Sequence, residues 1–267
     1  MCFNLLEAIL LGILQGITEF LPISSSGHLV LAKKLLGVES PGVTLEIMLH
    51  LGTLFAVIWV YREDFGQLLS YRYRSIQQIK LIVLLFLGTL TTGTVGYFLY
   101  PFIDLAFQSL KMVGIMLFIS GILIWTISRI PSGYKKMKDF SVYDAIWIGL
   151  MQGLAVLPGL SRSGATIWGA LSRKLNREIA IKYSFMLSAP VILGATLLEL
   201  KDMYIIGVDK FAWEVYLTGI VLSFLSGIFA IKIFIKLLVQ GKFLYFAYYC
   251  WFIGAFIIIL SYFHPMK

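Results

Sequence analysis

Two short polar stretches of this chain carry residue types that can handle a phosphoryl group. The first, residues 14–29, reads LQGITEFLPISSSGHL and holds Gln15, Glu19, Ser24, Ser25, Ser26, Gly27 and His28. Gln15 and Glu19 are four apart and share a helical face, while His28 lies three residues after Ser25 and four after Ser24, so either serine could reach the imidazole. A serine activated by histidine, with a carboxylate to orient the base or hold a divalent cation, is a workable set for attack on phosphorus. Magnesium suits such a set, because it takes oxygen ligands and is commonly shared between a carboxylate and substrate phosphates. The second stretch, residues 158–166, reads PGLSRSGAT and sets Arg162 among Ser161, Ser163 and Thr166, with Gly159 and Gly164 beside them. Free backbone N–H groups at a helix start, the positive end of the helix dipole and a forked guanidinium all favour an anion.

Each residue also has a structural use. Serine and glycine in membrane helices serve close packing, Arg162 could be held in a fixed ion pair with Glu19, and His28 could belong to a buried polar network without chemistry. His50, four residues after Glu46, could line the cavity, but the reading preferred is an interfacial i, i+4 pair.

The elements that must position these groups are membrane helices. Of the 267 residues, 59% are hydrophobic and only 13% charged, with a mean hydropathy of +0.89, which is too apolar for a soluble domain. The net charge of +8 does not indicate nucleic acid, because the basic residues sit between apolar runs as they do in the loops of membrane proteins. Cys2 and Cys250 stand at opposite ends of the chain, without disulfide-framework or metal-ligand spacing. No basic residue precedes Lys33, so the start lacks the charged region of a cleavable signal and is expected to belong to the fold.

Apolar runs long enough to cross hydrocarbon occupy residues 45–61, 79–99, 112–128, 179–200, 213–239 and 244–263. Residues 5–36 and 143–175 are apolar but broken midway by Pro, Ser and Gly, as re-entrant helical hairpins are. These two regions resemble each other: Gly12, Gln15, Gly16, Ser24, Ser26 and Gly27 recur 137 positions later as Gly149, Gln152, Gly153, Ser161, Ser163 and Gly164. The fold expected is therefore all-α and integral to the membrane, an inverted-topology repeat in a single membrane domain. Residues 1–128 form repeat one and 129–267 repeat two, each a re-entrant hairpin plus three transmembrane helices. Placing the loop after Tyr61 in the cytoplasm puts fifteen of the 22 basic residues inside and six outside, with Arg162 set apart, as the positive-inside rule requires. Both termini then face outward, and the hairpin tips can meet near the midplane around a shared polar site.

At these residues the chain resembles the undecaprenyl-diphosphate phosphatases associated with bacitracin resistance. GILQGITEFLPISSSGHL corresponds to that family's Glu/Gln-x-x-x-Glu motif and Ser-Ser-Thr/Ser-Gly-His segment, and PGLSRSGAT to its Pro-Gly-x-Ser-Arg-Ser element. The resemblance covers essentially the whole chain, and it implies the same inverted repeats with two re-entrant regions and a site open to the outer face. It implies a plasma (inner) membrane enzyme that releases the terminal phosphate of a C55 polyprenyl diphosphate and so recycles the lipid carrier for cell-wall synthesis, with Mg2+ as the expected cofactor. Carried over by position, the catalytic group is Glu19, Ser25, His28 and Arg162, with Glu19 as the metal-holding carboxylate. Gln15 stands where many relatives carry Glu, so it can only orient substrate. Gln15, Ser24, Ser26, Gly27, Gln152, Gly159, Ser161, Ser163, Gly164 and Thr166 are the expected substrate-binding residues. The expected partners are the polyprenyl diphosphate and the surrounding lipids, with no nucleic acid. The sequence leaves open whether the chain forms a homodimer, and whether Ser25 attacks phosphorus itself or only binds while water attacks. A lipid transporter or flippase with the same midplane anion site is the competing reading, because discontinuous helices in inverted repeats are also transporter architecture.

Overall fold

The structure, a computed structural model, describes residues 4–37, 44–70, 75–206 and 213–263. Cys2, Arg72, Arg74, Lys210 and Lys267 lie outside these residues. Among the described residues the regular structure is helical, with no strand beyond one isolated bridge between Lys135 and Leu175. Eleven α-helices are described: α1 (Leu5–Phe20), α2 (Ser25–Leu36), α3 (Thr44–Val60), α4 (Arg62–Leu69), α5 (Ile76–Phe107), α6 (Leu110–Arg129), α7 (Val142–Leu154), α8 (Arg162–Ser172), α9 (Arg177–Ile206), α10 (Trp213–Val239) and α11 (Leu244–Phe263).

Five of these, α5, α6, α9, α10 and α11, are long and apolar enough to cross a membrane. The sixth expected span is α3, followed at once by α4, which turns away by 79°. The turn places Arg62, Glu63 and Asp64 at the start of α4, where charged side chains can sit in the polar interface rather than in hydrocarbon. The chain is thus a multi-pass membrane protein. Its outward surface fits this: Phe86, Leu90, Tyr97 and Phe98 on α5 and Leu225 and Phe229 on α10 are all exposed, an arrangement that lipid solvates as readily as a protein core.

The two apolar regions broken by Pro, Ser and Gly are each two short helices joined by an irregular tip, α1–α2 and α7–α8. Their local grammar matches. Asn4 caps α1, accepting from the Glu7 amide at 2.8 Å while the Glu7 carboxylate accepts from the Asn4 amide. Ser141 and Asp144 make the same reciprocal box at the start of α7. Ser24 then caps α2 by accepting from the Gly27 amide, and Ser161 caps α8 by accepting from the Gly164 amide. Asn4 and Ser141, Glu7 and Asp144, and Ser25 and Arg162 are all pairs separated by 137 positions.

Small residues let the hairpins pack deeply. A Cβ at Gly16 would lie 1.9 Å from Ser226 Oγ on α10, and one at Gly149 would lie 2.5 Å from the Gly88 carbonyl on α5. The backbones of α1 and α10, and of α7 and α5, therefore approach as only small side chains permit. Helix α6 packs along α11 and carries Ser120 to the second tip. The core is a continuous apolar cluster that includes Phe20, Leu117, Ile148, Tyr183, Phe185 and Phe234.

Candidate active site at the meeting of two helix starts

The tips touch. The Gly159 amide donates to Ser26 Oγ at 3.3 Å, and the Ser163 hydroxyl donates to the Leu21 carbonyl at 3.2 Å. Two glycines make the approach feasible. A Cβ at Gly27 would come within 3.3 Å of Gly159 Cα; Gly159 itself has φ of +93°, and its Cβ would strike the Val113 carbonyl at 2.3 Å. A left-handed backbone and a close neighbour both call for glycine there. From α6, the Ser120 hydroxyl donates to the Gly159 carbonyl at 2.9 Å and accepts from the Ser161 amide at 2.8 Å, which pins the second tip.

Glu19 is the centre of the group this junction creates. It is the last residue but one of α1, with its side chain only 5% exposed. Its Oε1 accepts from Arg162 Nη2 at 2.6 Å. Its Oε2 accepts from Gln15 Nε2 at 2.9 Å and from the Ser25 hydroxyl. Ser25 and Arg162 are each the first residue of their helix, so one carboxylate joins the starting turns of α2 and α8 across the junction. A buried carboxylate holding a charge requires this much compensation. Arg162 is partly open, at 17% of its side chain, so an incoming anion can reach the guanidinium that now serves Glu19.

His50 lies at the edge of this group, and here the preference for an interfacial pair changes. Its Nδ1 faces the Glu46 carbonyl at 2.7 Å, its Nε2 lies 3.7 Å from Glu19 Oε2, and the Glu46 carboxylate is paired with Lys33 instead. His50 therefore borders the Glu19 group rather than forming an interfacial pair with Glu46, because one turn of α3 carries it under the end of α1.

His28 is placed differently from the expectation that its imidazole takes the proton of Ser25. Its Nδ1 lies 2.8 Å from the Ser24 carbonyl and its Nε2 2.8 Å from the Tyr249 hydroxyl of α11. Both ring nitrogens are engaged, and the acceptor joined to the Ser25 hydroxyl is Glu19. On a tight helix start, the ring of the residue three positions later swings back along the helix rather than across to the hydroxyl.

The remaining expected residues fall into three positions. Ser24, Ser26, Gly27, Gly159, Ser161, Ser163 and Gly164 build the two tips; the Ser24 and Ser26 hydroxyls lie 3.1 Å apart and those of Ser161 and Ser163 3.3 Å apart. Thr166 turns inward, donating to the Arg162 carbonyl at 2.9 Å and meeting the Ser184 hydroxyl. Gln152 stands apart from the Glu19 group, donating to Thr92 Oγ1 at 3.2 Å within the contact of α7 and α5. Two groups escape a reading of spacing: Tyr249 and Ser120 lie on spans distant in sequence, and only the fold brings them to the tips.

Comparisons with known proteins show the family. Residues 8–256 match the family model described as bacitracin resistance protein BacA. The chain is 42% identical to a protein of Alkaliphilus metalliredigens named undecaprenyl-diphosphatase, over 96% of this chain and 98% of that protein. It is 41% identical to one of the same name from Halothermothrix orenii, over 97% and 98% of the two chains, and 40% identical to one from Methanosphaera stadtmanae, again over 97% and 98%. With a family match across nearly its whole length and relatives of this similarity, the chain belongs to the bacitracin resistance protein BacA family.

Proposed function

We propose that the chain hydrolyses undecaprenyl diphosphate to undecaprenyl phosphate and inorganic phosphate at the junction of the two tips, returning the lipid carrier to cell-wall synthesis. The observation that carries the reading is Glu19, joined at once to the Ser25 hydroxyl and to the Arg162 guanidinium. A transporter needs an anion site, but it has no need of a hydroxyl directed at a buried carboxylate.

The steps follow from these contacts. Arg162 and the N-terminal amides of α2 and α8 take the diphosphate. As the guanidinium turns to phosphate, Glu19 loses its closest positive partner and recovers its capacity to accept a proton. The Ser25 oxygen attacks the terminal phosphorus and its proton passes to Glu19. The bond from that phosphorus to the bridging oxygen breaks, and undecaprenyl phosphate leaves with the electron pair. Water then splits the phosphoserine, its oxygen going to phosphorus and a proton returning to Ser25. Most of the acceleration comes from positioning and charge stabilisation, as expected for phosphoryl transfer. His28 supports the serine turn rather than taking its proton.

A divalent cation, Mg2+ by preference, fits beside Glu19. Among the described residues no group of three or more His, Cys, Asp or Glu could hold a metal by itself, so the substrate must supply oxygen ligands. Gln15 Oε1 is buried without a hydrogen-bond partner, a neutral oxygen left over beside the carboxylate. Glu19 would hold the ion, joined by Gln15 in place of the substrate-orienting part expected of it, and the ion would neutralise charge on the phosphates.

The membrane arrangement belongs to the same proposal. The matched caps at Asn4 and Ser141 and at Ser24 and Ser161, with α1 packed on α10 and α7 on α5, support an inverted repeat of two re-entrant hairpins. Ser25 and Arg162 occupy equivalent positions in the two repeats, so one ancestral slot carries the nucleophile in one copy and the anion-binding cation in the other. The charge bias then puts the site's opening and both termini on the outer face of the plasma membrane.

The test uses a polyprenyl diphosphate labelled in its terminal phosphate. Rapid acid quenching should capture label on Ser25 and then release it as phosphate. Folded protein that releases no phosphate from any long-chain prenyl diphosphate would contradict the function; release without label on Ser25, even in slowed variants, would leave water as the attacking group.

A further inference from the structure

Ser24, the residue before Ser25, has φ of +66° and ψ of 100°. A serine in this region is unfavourable and persists only where its surroundings hold it. The holding contacts converge on its carbonyl oxygen, which accepts from the His28 amide at 3.3 Å and lies 2.8 Å from His28 Nδ1. A carbonyl can only accept, so Nδ1 carries the proton and Nε2 presents its lone pair. The group facing that lone pair is the Tyr249 hydroxyl, 2.8 Å away, with the two rings almost parallel at 4° and their centroids 5.6 Å apart. Tyr249 belongs to α11, and Cys250 beside it lies 3.5 Å from the Pro22 carbonyl of the same tip.

We infer that Tyr249 is a positioning residue for the reaction: its hydroxyl donates to His28 Nε2, which fixes the imidazole as the Nδ1–H tautomer, and that N–H locks the strained Ser24 carbonyl so that Ser25 is directed at Glu19. This rests on the reading of Ser25 as the nucleophile. It gives the histidine a part other than accepting the serine proton, and it makes α11 part of the catalytic scaffold. Among the described residues no hydrogen bond joins Tyr249 to Glu19, Gln15, Ser25 or Arg162, whereas one joins it to His28, so its effect on Ser25 is assigned to His28.

Two measurements on purified, folded protein test this. The first is steady-state phosphate release from undecaprenyl diphosphate by wild type, Tyr249→Phe, His28→Gln and the double variant. Tyr249→Phe keeps the stacked ring and removes one oxygen. It should lower kcat by roughly ten- to a hundredfold, the scale of a misplaced reacting group, with KM within about twofold, and it should add nothing further in the His28→Gln background. Tyr248→Phe, whose exposed ring lies against Trp251, should behave as wild type. The second measurement is the 15N spectrum of labelled histidine. The His28 signals, assigned by their loss in His28→Gln, should report the Nδ1–H tautomer in wild type and a shifted Nε2 resonance in Tyr249→Phe. An active wild type with an unaltered kcat in Tyr249→Phe, or losses that multiply in the double variant, would overturn the inference and leave the phosphatase reading standing. An inactive wild type would instead remove the reading on which it rests.

Discussion

Glu19 bears the largest part of the account at the scale of single residues. It joins a hydroxyl, an amide and a guanidinium, so removing its charge both unseats Arg162 and leaves Ser25 without a proton acceptor. Glu19→Gln should reduce the rate of phosphate release by about 10²- to 10⁴-fold, the range for a lost general base, while substrate still binds through Arg162. A quenched kinetic assay with a separate lipid-binding measurement distinguishes the two effects; weakened binding at an unchanged rate would make Glu19 a docking group only. Ser25→Ala should remove the phosphoenzyme and fall to a similar floor. Glu19 and Arg162 stood out in the sequence because ionisable groups within apolar runs demand a reason, and Ser25 by its spacing from His28. The proton path was not legible. Spacing brings His28 near Ser25 along one helix, whereas the hydrogen bond to Glu19 spans a break in the chain, and Tyr249 and Ser120 arrive from helices whose sequence neighbours give no hint of a site.

The broken hairpins were readable as elements because Pro, Ser and Gly interrupt otherwise periodic apolar runs, and the helices end and restart at those interruptions, at Phe20 and Ser25 and at Leu154 and Arg162. What spacing missed is how each hairpin is anchored. Asp144, fully buried in the first turn of α7, accepts from Lys135 Nζ at 2.9 Å and from Arg173 Nε at 2.7 Å, tying the loop before α7 to the end of α8. Asp144→Asn would leave two cations short of a partner. Since both are partly solvated, the expected loss is about 2 kcal/mol, below the range for breaking a fully buried pair, read as a lower unfolding midpoint in detergent with little change in kcat for the fraction that stays folded. At the opposite end, Gly159→Ala must accommodate a Cβ only 2.3 Å from the Val113 carbonyl at a positive φ. It should displace Ser161 from Ser120 and lower phosphate release by at least roughly tenfold, since small misplacements of reacting groups are costly. Wild-type activity in a folded Gly159→Ala protein would mean that the second tip need not be held in this form.

The whole molecule was the most legible level. Composition alone indicated a multi-pass membrane protein, and the described helices supply five spans plus the bent α3–α4 pair. The bend itself was not foreseen, because residues 45–61 read as an ordinary span and the charged start of α4 lies just beyond them. The proposed orientation predicts that, in a cysteine-free background, a cysteine at Gln108 is labelled by an impermeant maleimide added to whole cells, while one at Gln67 reacts only after the membrane is opened. The reverse pattern would turn the site toward the cytoplasm. The central claim is that two helix starts meet on one carboxylate to release phosphate from a lipid diphosphate. The most direct test is the rate of phosphate release from undecaprenyl diphosphate by the purified protein in lipid nanodiscs, compared with Arg162→Ala. The account predicts measurable turnover in the wild type and a loss of about 10²-fold or more in the variant, the scale for removing a preorganised charge-stabilising group. Equal turnover in the two folded proteins would contradict it.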